Sequence, residues 1–126
     1  MEHQNELDRL AQTVIGAAIE VHRALGPGYL ELLYEEALCI ELNMRHIDNS
    51  RQHPIAVRYK GHPIGEGHID ILISSILVVE LKAVEALALI HTAQIMSYLR
   101  ATGLHLGLLI NFNVPILKQG IKRVAL

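Results

Sequence analysis

Three charged side chains interrupt two apolar runs: Asp70 stands in HIDILI, and Glu80 and Lys82 stand in ILVVELKA. A charge inside a buried strand is costly unless it is paired or metal-bound. Side chains alternate along a strand, so Glu80 and Lys82 leave on the same face. Two carboxylates and a lysine converging there could hold a hard divalent cation and set an ammonium beside its bound water. The same residues also permit a plainer arrangement, a Glu80–Lys82 ion pair at a strand end with Asp70 as a capping or turn residue.

Whether Asp70 joins the other two depends on the parity of the hairpin between the runs. A turn of Ser74-Ser75 alone would pair Ile73 with Ile76 and set Asp70 opposite Val79, sending Glu80 to the other side of the sheet. A loop of Ser74-Ser75-Ile76 pairs Ile73 with Leu77 and sets Asp70 opposite Glu80, and a bulge would do the same. A metal site requires the longer loop or its equivalent.

The elements that must position these residues follow from periodicity. Leu7, Leu10, Ala11, Val14, Ile15, Ala18, Val21 and Leu25 form one helical stripe, stopped by Gly26-Pro27-Gly28. A second helix is expected from about Leu30 to Arg45, with Leu30, Leu33, Tyr34, Ala37, Leu38 and Leu42 inward. Glu31, Glu35 and Glu36 lie near its start, where the helix dipole favours negative charge. Gln52 to Tyr59 reads as a strand closed by a Lys60-Gly61 turn. Ile69–Ile73 and Ile76–Leu81 read as short strands covered on both faces. Ala86–Ala101 reads as a helix, Leu104–Phe112 as a buried strand and Ile121–Val124 as an edge strand. The order α-α-β-β-β-α-β, with a possible last β, fits one α/β domain spanning residues 1–126.

Composition bounds the partners. The chain has 126 residues, 51% of them hydrophobic, and one domain of that size buries a core without help. No apolar stretch is long enough to span a bilayer. MEHQNELDRL lacks the pattern of a signal peptide, and the single Cys39 fits a small buried position, so a cytoplasmic location is expected. A net charge of −2 does not favour nucleic-acid binding through the overall field. Arg51, Arg58, Lys60, Arg100, Lys118, Lys122 and Arg123 could still gather on one face.

GPGYLELLYEEAL, HIDILI, VVELKAVE, IHTAQIMSYLRATG and LGLLINFNVPILKQGIKR together resemble the GxxExxY protein family, a branch of the PD-(D/E)xK nuclease superfamily. The name-giving motif is Gly28, Glu31 and Tyr34, and the resemblance covers about residues 7–126. It implies a three-layer PD-(D/E)xK nuclease-like α/β fold, with a mixed central sheet flanked by helices. It also implies a metal-dependent nuclease acting on nucleic acid, with DNA the expected polymer. Asp70 and Glu80 would bind the metal, with the Leu81 carbonyl as a further ligand. Lys82 would orient or activate the attacking water, and Glu31 would steer the water or a second metal. Mg²⁺ is the expected ion and Mn²⁺ a substitute.

His91, Gln94 and Tyr98 form a stripe on the third helix, and nucleases of that superfamily often carry a similar Q-x-x-x-Y pair. Gln94 would hold the lysine or a phosphate oxygen, and Tyr98 would touch the nucleic-acid backbone; a buried amide and a core aromatic are the plainer roles. His68, where the family often has an Arg nearby, is the other expected nucleic-acid contact. Glu20, His22 and Arg23 read as a solvated helix end. His53, His62 and His68 lack zinc-ligand spacing, GYLEL is no phosphate loop, and LINFN reads as core packing. A non-catalytic nucleic-acid-binding module and a homo-oligomeric assembly protein remain the alternatives on this scaffold.

Overall fold

The apolar stripe of the N-terminal segment forms α1 (Glu2–Leu25), followed by α2 (Glu31–Met44), in a computed structural model that describes residues 2–126. The chain continues through β1 (Asn49–Tyr59), β2 (His62–Ile73), β3 (Leu77–Lys82), α3 (Leu89–Thr102) and β4 (Leu106–Asn111). A 3₁₀ turn (Leu117–Gly120) leads into β5 (Ile121–Ala125). The five strands form one sheet in the order β1-β2-β3-β4-β5. β3 and β4 are parallel, joined by the α3 crossover, and the other neighbours are antiparallel. This is a mixed α/β fold with helices on both faces of a mixed sheet, consistent with the PD-(D/E)XK nuclease fold.

Strand alternation divides the core in two. Val79, Leu81, Leu108 and Ile110 pack with α1 and α2, whereas Val78 and Leu109 pack with Ile95 and Leu99 of α3. Glycine at 107 lets α3 approach the sheet, because a Cβ there would stand 2.5 Å from Ile95 Cγ2. β3 and β4 are buried almost throughout, as strands covered on both faces must be. Cys39 is buried, and that burial pushes its thiol up to about 11, which suits an inert packing role.

Three expectations need correction. Leu30 and Leu33 are 77% and 50% exposed. The inner face of α2 keeps Tyr34, Leu38 and Leu42 as expected and adds Glu35 and Cys39, so a carboxylate read as a helix-start charge turns inward. β2 begins at His62, well before Ile69, because HPIGEGH pairs along β1 despite its Pro and Gly residues. Pro63 is accommodated at the register shift between Val57 and Arg58, where a ladder donor is dispensable. α3 begins at Leu89 rather than Ala86, since the His91 ring accepts the Ala88 N–H and caps the helix there.

Candidate active site

The β2–β3 hairpin has the longer of the two loops its sequence permits. Ile73 pairs with Leu77, Ile76 N–H donates to the Ile73 carbonyl at 3.0 Å, and Ser74 and Ser75 adopt φ of 49° and 63°. Continued from Ile71 opposite Val79, this register sets Asp70 opposite Glu80. At that point the main-chain ladder opens and the two carboxylates take its hydrogen bonds. Asp70 N–H donates to Glu80 Oε2 at 2.7 Å, and Leu81 N–H donates to Asp70 Oδ2 at 2.8 Å.

β1 opens at the same level. Gln52 adopts φ of 47° and drops out between the pairs Arg51–Ile71 and His53–Ile69. The alternation of β2 slips with it: Ile71 and Ile73 face α1 and α2, but Ile69 joins the α3-side core. Asp70 lies at the slip, so its carboxylate meets Gln52 of β1 on one side and Leu81 of β3 on the other. Gln52 Nε2 donates to Glu35 Oε1 at 2.7 Å and lies 3.4 Å from Asp70 Oδ1. Glu35 is 4% exposed and also accepts from Arg51 at 2.9 Å. Arg51 bridges on to Glu36 at 2.6 Å.

The electrostatics follow from this crowding. Glu80, 2% exposed, is pushed up to about 8 by burial first and by the Asp70 carboxylate second. Burial also raises Asp70; the Leu81 N–H opposes that rise and the Glu35 charge adds to it. Glu31, exposed on the first turn of α2, is raised by partial desolvation and then by Asp70. Lys82 draws all three carboxyls down, yet it makes no salt bridge among the described residues. The Glu80–Lys82 ion pair that the spacing permits is therefore not formed. Crowded carboxyls held by main-chain donors, disfavoured in their charged form and without an ion-pair partner, are what a bound cation would relieve.

The donor set suits a hard ion. Main-chain groups alternate sides along a strand, and the Lys82 carbonyl accepts from the N–H of Phe112, just past β4, at 2.9 Å. The Leu81 carbonyl therefore projects toward β2, on the edge that carries Asp70. Two carboxylates and a carbonyl suffice for Mg²⁺, which keeps several waters. Among the described residues no group of three or more His, Cys, Asp or Glu side chains converges as a fuller protein cage.

A family model described as the PD-(D/E)XK nuclease superfamily matches residues 8–124. The chain belongs to this superfamily. No curated protein and no solved structure matches the chain. PD-(D/E)XK nucleases generally use divalent metals, and Glu80-Leu81-Lys82 reads as the (D/E)XK of the superfamily's name.

The remaining candidates divide. Gln94 Nε2 donates to Tyr98 Oη at 3.2 Å and makes no hydrogen bond to Lys82. The Tyr98 ring lies against Gly67, 3.1 Å from where a Cβ would stand, and its phenol is raised by burial and by Glu80. His68 is exposed and lies 3.5 Å from Glu66. Glu20 and Arg23 form a solvent-exposed pair, whereas His22 is buried on the Val114 carbonyl at 2.8 Å. The sequence reading missed Glu35 as a site neighbour, taking it for a helix-start charge. The available signal was its place four residues after Glu31 and beside Tyr34, within the inner stripe. Asn111 was also missed: its side chain holds Val84 through N–H and C=O at 3.1 and 3.0 Å, anchoring the chain as it leaves Lys82.

Proposed function

We propose that the chain is a metal-dependent nuclease of the GxxExxY family that hydrolyses phosphodiester bonds in nucleic acid, with DNA the expected polymer. The observation that carries this reading is the pair of half-buried Asp70 and buried Glu80, facing across an opened ladder with Lys82 on the same strand as Glu80. Asp70, Glu80 and the Leu81 carbonyl would hold Mg²⁺, or Mn²⁺ in its place. When bound, such an ion lowers the pKa of water and offsets phosphate charge in an in-line displacement.

The protein's own part is positioning. Lys82 brings a positive charge to the rim of the carboxylate pair, where it can orient the attacking water and balance charge on the phosphate. Glu31, electrostatically coupled to Asp70 and Lys82, would steer that water. Gln94 and Tyr98 present a linked amide and phenol from α3, suited to a non-bridging phosphate oxygen, and exposed His68 can meet the backbone beyond. The GxxExxY residues serve the same end. Gly28 takes φ of 108° in the loop before α2. Tyr34 Oη donates to the Gly26 carbonyl at 2.6 Å and accepts Tyr29 N–H at 3.1 Å, fixing the turn that presents Glu31.

Labelled DNA and RNA in single-stranded, duplex and branched forms, incubated with Mg²⁺, Mn²⁺ or EDTA, test the reading. Metal-dependent cleavage that disappears in Lys82→Ala is the expected result. Cleavage that survives EDTA or persists in that variant, or no cleavage of any substrate, sinks the proposal.

A further inference from the structure

A second feature adjoins the carboxylates without belonging to them. An open groove of about 750 Å³ runs between β1 and the C-terminal half of α3. Its apolar floor includes Ile55, Leu72 and Leu104, and Arg58 and Arg100 stand along it. Neither arginine makes a salt bridge among the described residues. That distinguishes them from Arg23, Arg45, Arg51 and Arg123, each of which is held by a carboxylate.

The groove continues the site along three elements. On β1, Gln52 reaches Asp70 and the next residue, His53, lines the groove. On β2, Leu72 follows Asp70 by two positions. On α3, Tyr98 lies on the Gly67 side while Ser97 and Arg100 face the groove.

We infer that this groove holds one unpaired nucleotide of a single-stranded segment next to the phosphate at Asp70 and Glu80; the inference rests on the nuclease reading for its orientation. An apolar floor beside two guanidiniums matches the two chemistries of a nucleotide. The base face lies on hydrocarbon or a guanidinium plane, and the phosphate takes the guanidinium donors. A base inside a duplex keeps its faces in the stack and cannot reach such a floor. The substrate class is therefore nucleic acid with a single-stranded portion at the cut.

Fluorescence anisotropy of a short labelled oligothymidylate in EDTA tests the groove apart from cleavage. Arg58→Ala/Arg100→Ala should weaken binding on the order of tenfold and lower the salt slope by about 0.7, the value for one lost single-strand phosphate contact. Lys118→Ala/Lys122→Ala removes equal charge outside the groove and should change binding far less. Both arginines are exposed, and unchanged thermal melts will show that the variant folds. Wild-type affinity and slope in the arginine variant, an equal loss in the lysine variant, or an equal loss on blunt duplex would overturn the inference. Metal-dependent cleavage together with wild-type binding by the arginine variant removes the groove and leaves the nuclease reading. Groove-dependent binding by a protein that cleaves nothing retains the groove and removes the nuclease reading.

Discussion

Glu80→Gln should make the metal-free protein more stable above neutrality, although it replaces a residue in the middle of the site. Glu80 titrates near 8 in the folded chain, against 4.5 for an ordinary glutamate. Below the lower value both folded and unfolded chains carry the proton. Between the two, only the unfolded chain has released it, so stability falls as pH rises; above the upper value the loss is complete. A difference of about 3.5 units corresponds to roughly 5 kcal/mol at 1.36 kcal/mol per unit. That is a large part of the roughly 5–15 kcal/mol typical of a domain. Asp70 and Glu31 are raised as well, so they act in the same direction. Glutamine retains an oxygen for the Asp70 N–H that Glu80 accepts at 2.7 Å, so the variant loses the titration and keeps the bond. Urea denaturation in EDTA from about pH 5 to about pH 9 should show wild-type stability falling steeply while Glu80→Gln changes far less. Mn²⁺ should restore the wild type at the alkaline end and leave the variant nearly unaffected. Parallel pH profiles for the two proteins would refute the reasoning.

Lys82→Met should fold and bind Mn²⁺, because the ion balances the carboxylates, yet cleave at least about 10²-fold more slowly. Melts with and without Mn²⁺ beside a cleavage assay decide this, and a variant unfolded in both conditions would make the lysine a structural counter-ion. Glu31→Gln should weaken Mn²⁺ binding or slow cleavage; calorimetric titration and turnover both at wild-type values would reduce Glu31 to a helix-start charge. Tyr34→Phe removes the hydroxyl that joins Gly26 and Tyr29 while keeping the ring, stacked on Phe112 at 4.5 Å. It should cost about 1–3 kcal/mol in urea denaturation, the penalty for leaving buried groups unpartnered, and a loss within error of zero would contradict that role.

The sequence carried the element order because α1 has a strong apolar stripe and β3 and β4 are apolar runs whose burial is nearly complete. Asp70, Glu80 and Lys82 were legible for the same reason: charge stands out against hydrocarbon. Their convergence was not, since it turned on one residue of loop length, and Ser74 and Ser75 in left-handed geometry leave no unique signature. Glu35 was hidden by its neighbours. Three acidic residues on one helix start look alike until packing sends one inward, and the partners that make this tolerable, Arg51 and Gln52, come from a distant strand. The early part of β2 was masked by Pro63 and its glycines, which break a strand in isolation but sit harmlessly where β1 supplies the register.

The net charge of −2 looks ill-suited to a polyanion only when all charges are counted alike. Arg51 is held by Glu35 and Glu36, and Arg123 by Asp8 at 2.7 Å, so neither offers a phosphate its full attraction. Lys82, Arg58 and Arg100 make no salt bridge among the described residues; Lys82 follows Glu80 by two positions, and the two arginines line the groove between β1 and α3. Without a cation, and once Glu80 has ionised above about 8, Asp70 and Glu80 oppose an approaching phosphate and one another. A divalent ion would reverse both effects at once, stabilising the fold and making the site attractive to the substrate. Metal affinity, alkaline stability and substrate binding should therefore rise together in the wild type and separate in Glu80→Gln. A scaffold that uses these carboxylates only for structure gives no reason for that coupling.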